Sequence, residues 1–228
     1  MTVADLPRRT ARSALWRDVH KGIRSALGML VLETGAVDPE DRDAVEEVVE
    51  LVHAVVDLLD SHARAEDEVT APVVAEHLPD LAALVAADHE EFGPQTAALA
   101  AAADAVLDAA DRRAALHDLH LRLSAFTGQY LLHQDLEERV VLPALEDAVG
   151  LPEVRRLEGA FIASIPEDER LDGMVMMFPA MNVVERTEVL SMIQDHAPAE
   201  WFAQVWEVVT EVLDPDDVAE LERRLGGV

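Results

Sequence analysis

Two short segments of the chain combine histidine and glutamate at a spacing that could bind a metal ion. His62 and Glu66 lie four positions apart, and so do His133 and Glu137. Residues four positions apart on an α-helix stand one turn apart on the same face, close enough to hold one metal centre. Imidazole nitrogen and carboxylate oxygen suit iron, manganese or zinc. Each segment therefore predicts half of a metal site.

The two segments are copies of one pattern. The first reads His-Ala-Arg-Ala-Glu-Asp-Glu-Val-Thr-Ala-Pro from His62, and the second reads His-Gln-Asp-Leu-Glu-Glu-Arg-Val-Val-Leu-Pro from His133. A further histidine stands upstream of each, His20 before the first and His89 before the second. The repetition indicates a duplicated helical hairpin. If the hairpins face each other, two histidines and one glutamate from each meet at the centre, and the two carboxylates can bridge two metals. Roughly two of six octahedral positions would remain for a bridging oxygen and a small ligand.

The elements that must position these residues are helices. Apolar residues recur every three or four positions, as in Val45, Val48, Val49 and Val52, which is typical of a helical stripe and not of strand alternation. We predict helices over about residues 10–33, 39–69, 81–107 and 111–149. Gly93 and Pro94 should kink the third of them or divide it in two. Four long helices in series predict an all-α, up-down four-helix bundle as the domain 1–150.

The last third of the chain predicts a C-terminal helical extension, residues 151–228. Shorter helical pieces are expected at about residues 153–164, 184–194, 199–213 and 216–225. The extension should pack on the bundle or on a second subunit. Its methionine-rich stretch, residues 174–181, is interpreted as packing surface, with a loop that covers a pocket as the alternative.

Composition excludes several classes of function. The chain has 46 acidic and 18 basic residues, a formal charge of −28, which repels nucleic acid phosphates and anionic membranes. The absence of cysteine excludes disulfides and thiolate ligands, so that any metal must be held by histidine and carboxylate. No apolar run approaches the roughly 20 residues of a membrane span. We expect a cytoplasmic protein without a nucleic acid or membrane partner.

These motifs, together with Asp88-His89-Glu90, resemble the hemerythrin or HHE cation-binding domain over about residues 11–149. The resemblance implies an up-down four-helix bundle around two non-heme iron ions joined by carboxylate and oxo or hydroxo bridges, with manganese or zinc less favoured. It implies terminal ligands and bridging carboxylates at the following positions: His20, His62, His89 and His133 as terminal ligands, and Glu66 and Glu137 as bridges.

One position departs from the pattern of the oxygen carriers in that family. They place a second histidine one turn after the ligand of the third helix, and Gly93 stands there in this chain. The departure leaves a coordination position open and argues against reversible oxygen carriage. Tyr130, three residues before His133 and on the same helix face, is a candidate additional ligand or hydrogen-bond partner of a ligand. The alternative is a core tyrosine whose hydroxyl is satisfied elsewhere.

The leading functional hypothesis is a di-iron protein that binds or activates a small oxidant, namely dioxygen, hydrogen peroxide or nitric oxide; an oxidoreductase is favoured, and binding without turnover is left open. Catalase-like or oxidase chemistry would fit such a site. One alternative is a module that senses oxygen, nitric oxide or iron, and another is metal binding without turnover. A pocket that admits an organic substrate is a further alternative. The tryptophans and methionines of the extension leave both a monomer and a homodimer open.

Overall fold

A computed structural model describes residues 6–226, and within that range every regular element is a helix. The longer helices are α1 (Arg17–Ala36), α2 (Arg42–Ala65), α4 (Pro79–Leu107) and α5 (Arg112–Leu136). The shorter ones are α3 (Ala71–His77), α6 (Leu142–Val149), α7 (Leu151–Ser164), α8 (Glu167–Ala180), α9 (Val183–His196), α10 (Ala199–Val212) and α11 (Pro215–Leu225). The prediction of an all-α protein is confirmed. Residues 1–5, 227 and 228 of the predicted domains lie outside the described residues.

Each copy of the repeated motif folds as a helix, a π-helical turn and a second helix. The π turns are Glu66–Thr70, between α2 and α3, and Glu137–Val141, between α5 and α6. Pro72 and Pro143 follow them near the start of the next helix, where a residue without an N–H group is tolerated. Single π turns inside helices occur frequently at functional sites. Here each begins at a glutamate that the sequence predicts as a ligand.

The helical stretch predicted for residues 39–69 extends further in the structure, because α3 continues to His77 after the π turn. α4 runs through Gly93 and Pro94 without being divided. Both residues are exposed, so the hydrogen bond that Pro94 cannot donate is lost on the solvent side of the helix. α4 packs against both α2 and α5.

The chain divides into two compact units, each with its own core. The first unit comprises residues 6–16 and 26–165, and one of its apolar clusters is built from the start of this unit, the two π-turn regions and α7. The second unit comprises residues 17–25 and 166–226, with a core that includes Phe178, Leu190, Val205 and Leu221. α7 thus groups with the first unit, whereas the predicted boundary at residue 150 stays a prediction.

The helices of the second unit recur at a fixed interval. Their N-cap residues are spaced sixteen positions apart: Pro166, Asn182, Pro198 and Asp214. Two residues with non-helical backbone angles separate successive helices. The methionine-rich stretch lies mostly in α8 and is therefore not a loop. Acidic residues in the first turn of α8 favour a helix there. Among the described helices, none has the length and apolarity needed to cross a membrane.

Candidate metal centre

Four buried or nearly buried side chains of the first unit converge. Glu66 begins the first π turn, His89 lies on α4, His133 lies in the last turn of α5, and Glu137 begins the second π turn. Each offers one ligand atom, and these atoms all lie within 4.8 Å of one another. Histidine and glutamate at this separation form a cluster that could hold a metal ion.

The imidazole nitrogens in this cluster face carboxylate oxygens. His133 Nε2 lies 3.3 Å from Glu137 Oε2, and His89 Nε2 lies 3.4 Å from Glu66 Oε2. The other oxygen of Glu66, Oε1, lies 3.2 Å from His62 Nε2. The His62 ring also packs edge-on against Phe161, with 5.7 Å between ring centroids. The two oxygens of Glu66 therefore face two different histidines.

The outer nitrogen of each central histidine is anchored by an aspartate. His89 Nδ1 lies 2.9 Å from Asp67 Oδ1, and His133 Nδ1 lies 3.0 Å from Asp88 Oδ2. An aspartate at Nδ1 orients the ring and accepts the proton of that nitrogen, so Nε2 is the ring atom directed at the cluster and available to a metal. Both Nε2 atoms are buried and have no hydrogen-bond partner among the described residues. Buried polar atoms are rarely left so, and a metal ion would satisfy them. The donor set fits a metal.

No role was assigned to Asp67 or Asp88 from the sequence, although Asp88 was quoted beside His89 in the family motif. Each is adjacent in sequence to a predicted ligand, since Asp67 follows Glu66 and Asp88 precedes His89. The histidine that each aspartate orients, however, lies on a different helix. An acidic neighbour beside each ligand was the available indication, and the pairing itself required the tertiary structure.

Electrostatics show how strongly the cluster attracts positive charge. Burial opposes protonation of His89, but Glu66, Asp67 and Glu137 outweigh it and raise the pKa of His89 to about 9. Burial and the neighbouring Glu66 raise the pKa of Glu137 to about 8. The raised pKa of Glu137 favours its protonated form when no other cation is present, and a metal cation would displace that proton on binding.

Aromatic rings cover one side of the cluster. The Tyr130 ring centroid lies 5.6 Å from that of His133, and Phe92 lies 5.3 Å from His133 and 5.1 Å from Tyr130. Burial, with Glu66 and Glu137, raises the pKa of Tyr130 well above its usual value. The phenol thus stays protonated beside the carboxylates. Its role as a ligand or as a hydrogen-bond partner of one stays a prediction.

A cavity of about 40 Å³ adjoins the cluster on another side. Glu66, His89 and Glu137 line it together with aliphatic and aromatic side chains: Trp16, Val74, Ala82, Val85, Ala86 and Val141. The space exceeds what one water molecule needs and suits a ligand of a few atoms. Its walls are largely apolar, so a small neutral molecule would lose little hydration on entering it.

The remaining histidines do not belong to this four-residue cluster. His20 is fully buried on α1, in the stretch grouped with the second unit, and its role as a ligand stays a prediction. His53 lies near the surface, paired with Asp104. His120 is half-buried, with its ring against Gly35 and its Nδ1 3.1 Å from the Val31 carbonyl oxygen. The others are exposed: His77, His117 and His196.

The all-helical fold, together with a histidine–glutamate cluster whose imidazoles are held by aspartates, is typical of a helical cation-binding protein. The model of the family described as hemerythrin HHE cation binding domain matches residues 12–145. Because that match spans more than half of the chain, the chain belongs to the hemerythrin HHE cation-binding domain family. Comparisons with curated proteins and with solved structures gave no match. α8 to α11 lie beyond the matched region.

Proposed function

We propose that the chain is a non-heme di-iron protein that binds or activates a small oxidant: dioxygen, hydrogen peroxide or nitric oxide. The observation that carries the proposal is the pair of buried Nε2 atoms of His89 and His133, each fixed by an aspartate at Nδ1 and directed at Glu66 and Glu137. The proposal includes an up-down four-helix bundle formed by α1, α2, α4 and α5.

Each half of the proposed ligand set contains two histidines and one glutamate. His20, His62, His89 and His133 are the terminal ligands, and Glu66 and Glu137 bridge the two irons. Support for bridging comes from Glu66, whose Oε1 faces His62 and whose Oε2 faces His89. A carboxylate with its oxygens directed at two different imidazoles is arranged for two metal ions and not for one.

The residues around the cluster favour a small, neutral ligand. A bound pair of irons would supply two electrons and an open coordination position to an oxidant. The apolar cavity excludes bulk water and limits the ligand to a few atoms. Tyr130 and Phe92 pack beside His133, where a phenol that keeps its proton can donate a hydrogen bond. This arrangement favours oxidoreductase chemistry of the catalase or oxidase type over an organic substrate.

The first experiment is metal analysis by mass spectrometry on aerobically purified protein, with an ultraviolet-visible spectrum before and after peroxide. We expect about two irons per chain and charge-transfer bands that change on peroxide. Glu66→Ala and Glu137→Ala should each abolish iron binding and the charge-transfer bands. Glu68→Ala, at an exposed position of the π turn that contains Glu66, should leave both the iron and the bands in place. Sub-stoichiometric metal that these variants leave unchanged would refute the proposal. Two bound zinc ions without redox bands would favour metal binding without turnover.

A further inference from the structure

The cavity beside the cluster leads to it from the surface of the first unit. One wall is a face of α4, whose lining residues have the spacing of a single helix face: Ala82, Val85, Ala86 and His89. The first π turn and α3 form a second wall, which includes Glu66, Asp67 and Val74. Asp67 and Ala86 are exposed, so the cavity reaches the solvent beside them. Its inner part adjoins the candidate ligands.

Trp16 is the largest side chain that lines this cavity. It is 2% exposed, so the indole lies in the interior and not at the opening. The other apolar lining residues are alanines and valines: Ala71, Val74, Ala82, Val85, Ala86 and Val141. The free space of about 40 Å³ therefore depends on this one ring more than on any other apolar side chain around it.

The segment before α1 holds Trp16 in place. The Glu146 carboxylate on α6 accepts the backbone N–H groups of Arg12 and Ser13, both at 2.7 Å. The indole belongs to the same buried apolar cluster as Val141, on the second π turn. All of these residues lie in the first unit. Because protein interiors are close-packed, a ring fixed in this way does not move aside for a larger ligand without a cost in stability.

We propose that Trp16 determines the size of the ligand that reaches the cluster, so that the chain accepts hydrogen peroxide and excludes alkyl hydroperoxides. The free space beside the indole suits a ligand of a few atoms and leaves no room for a branched alkyl group. Carboxyl groups of Glu66, Asp67 and Glu137 line the same cavity and disfavour anions, whereas both kinds of hydroperoxide are neutral. This inference rests on the proposed di-iron function and names the substrate class of that site.

Hydrogen peroxide and an alkyl hydroperoxide undergo the same reaction and differ in size. Either one, written ROOH, accepts one electron from each of two iron(II) ions and two protons from the solvent. Its O–O bond breaks, and ROH and water form. A difference between variants in the relative rates of the two oxidants therefore reports on the fit of the R group in the cavity.

Trp16→Leu tests the inference, with Leu157→Ala as its control. Both substitutions remove volume from the same apolar cluster, but Leu157 lies in α7, outside the described lining of the cavity. The iron(II)-loaded proteins are mixed anaerobically with hydrogen peroxide or tert-butyl hydroperoxide, and the charge-transfer bands are followed by stopped flow. Wild type and Leu157→Ala should strongly prefer hydrogen peroxide. Trp16→Leu should narrow that preference by roughly 10- to 100-fold.

A second readout uses the metal-free protein. tert-Butanol resembles tert-butyl hydroperoxide in size and does not react, and crystals of the metal-free protein are soaked in it. We expect the alcohol in the enlarged cavity of Trp16→Leu and not in the cavity of wild type. Trp16→Phe, a smaller change in the same direction, replaces Trp16→Leu in both experiments should that variant fail to fold.

The outcomes separate the role of Trp16 from the di-iron function. An unchanged preference for hydrogen peroxide in the folded Trp16 variant, or an equal change in Leu157→Ala, would overturn the inference. So would alcohol in the wild-type cavity, or its absence from the enlarged one. If wild-type protein binds no iron or does not react with hydrogen peroxide, the di-iron proposal fails, and the soaked crystals still test whether Trp16 limits the size of the ligand.

Discussion

Asp67 and Asp88 illustrate at the scale of single residues how a buried imidazole is prepared for a metal. Each aspartate bonds the outer nitrogen of a histidine, so the inner nitrogen is held in one direction, toward the cluster. Asp67 is exposed and Asp88 is half-buried, whereas the His133 side chain is 1% exposed. The aspartates thus stand between the solvent and the ligands.

Replacement of Asp88 by asparagine should weaken metal binding without unfolding the protein. Loss of the carboxylate lowers the basicity of His133 and frees its ring, which typically costs roughly 10- to 100-fold in metal affinity. Chelator competition measures the change. Glu90→Gln removes an exposed charge beside His89 and is the control, since it should leave affinity unchanged. Equal affinities in the two variants would contradict the role assigned to Asp88.

The buried carboxylate of Glu146 lies outside the candidate metal cluster and binds the segment before α1. Its Oε1 accepts hydrogen bonds from the backbone N–H groups of Arg12 and Ser13, both at 2.7 Å, and from the Ser13 hydroxyl at 2.8 Å. Burial opposes ionisation, but these donors outweigh it and lower the pKa of Glu146. Ionised Glu146 therefore stabilises the folded chain.

We expect Glu146→Gln to lower the free energy of unfolding at pH 7 by about 1–3 kcal/mol. Because the folded-state pKa lies below the ordinary value of 4.5, this contribution is present above that pH. It is lost as the pH falls through the folded-state pKa, so the difference from wild type should shrink in acid. Urea unfolding at several pH values measures it. Asp147→Asn, which removes an exposed ion pair with Arg9, should lower the free energy of unfolding by less than about 1 kcal/mol. An equal loss of stability in the two variants would contradict the role assigned to Glu146.

At the scale of elements, the second unit depends on a charged side chain as well as on its apolar core. Arg186, 8% exposed at its side chain, donates to the carbonyl oxygens of Phe178 and Pro179, at 2.8 and 3.3 Å, and to Asp217 Oδ2 at 2.6 Å. These acceptors lie at the end of α8 and the start of α11. One guanidinium group therefore joins three helices and satisfies carbonyl groups at a helix end.

Arg186→Met should destabilise the second unit by about 2 kcal/mol, since two carbonyl groups and a carboxylate lose a charged donor. Hydrogen exchange is the appropriate measurement, because a chain of two units need not unfold in one step. Faster exchange should be confined to the second unit, residues 17–25 and 166–226. Arg155→Met, at an exposed arginine of α7, is the control and should leave hydrogen exchange in the second unit unchanged. Equally faster exchange throughout the chain in both variants would contradict the role assigned to Arg186.

At the scale of the whole molecule, the dominant features are excess negative charge and a metal-binding cluster built from several helices. The net charge of −28 favours cations throughout, but only buried imidazole and carboxylate together select a transition metal over magnesium. A ligand that binds the folded chain and not the unfolded chain stabilises it by mass action.

We therefore expect iron(II) or zinc to raise the melting midpoint of metal-free protein. When the free metal concentration is about 100 times the dissociation constant, the free energy of unfolding rises by about 2.7 kcal/mol for one site. Differential scanning calorimetry under anaerobic conditions measures it, with magnesium at equal concentration as the control for simple charge screening. An equal shift with magnesium, or none with either transition metal, would contradict a specific site.

Much of the candidate site could be predicted because its ligand spacing is local. His133 and Glu137 share a helix face by the geometry of a single turn, and the repetition of that spacing predicted an all-helical member of the hemerythrin family, which is confirmed. The structure brings four of the six predicted ligands into one cluster, and their role as ligands stays a prediction.

Other features depended on contacts between distant parts of the chain. No local rule links Asp67 to His89, or Asp88 to His133, because those pairs form only when separate helices pack. The π turns were not predicted, because helical periodicity does not distinguish a single π turn from the α-helix around it. The helical state of residues 167–180 was missed; this segment contains glycine and proline, which weaken isolated helices but are tolerated once the flanking residues are packed. Sequence alone determined the residue types and faces of the site, whereas packing decided which side chains orient the ligands.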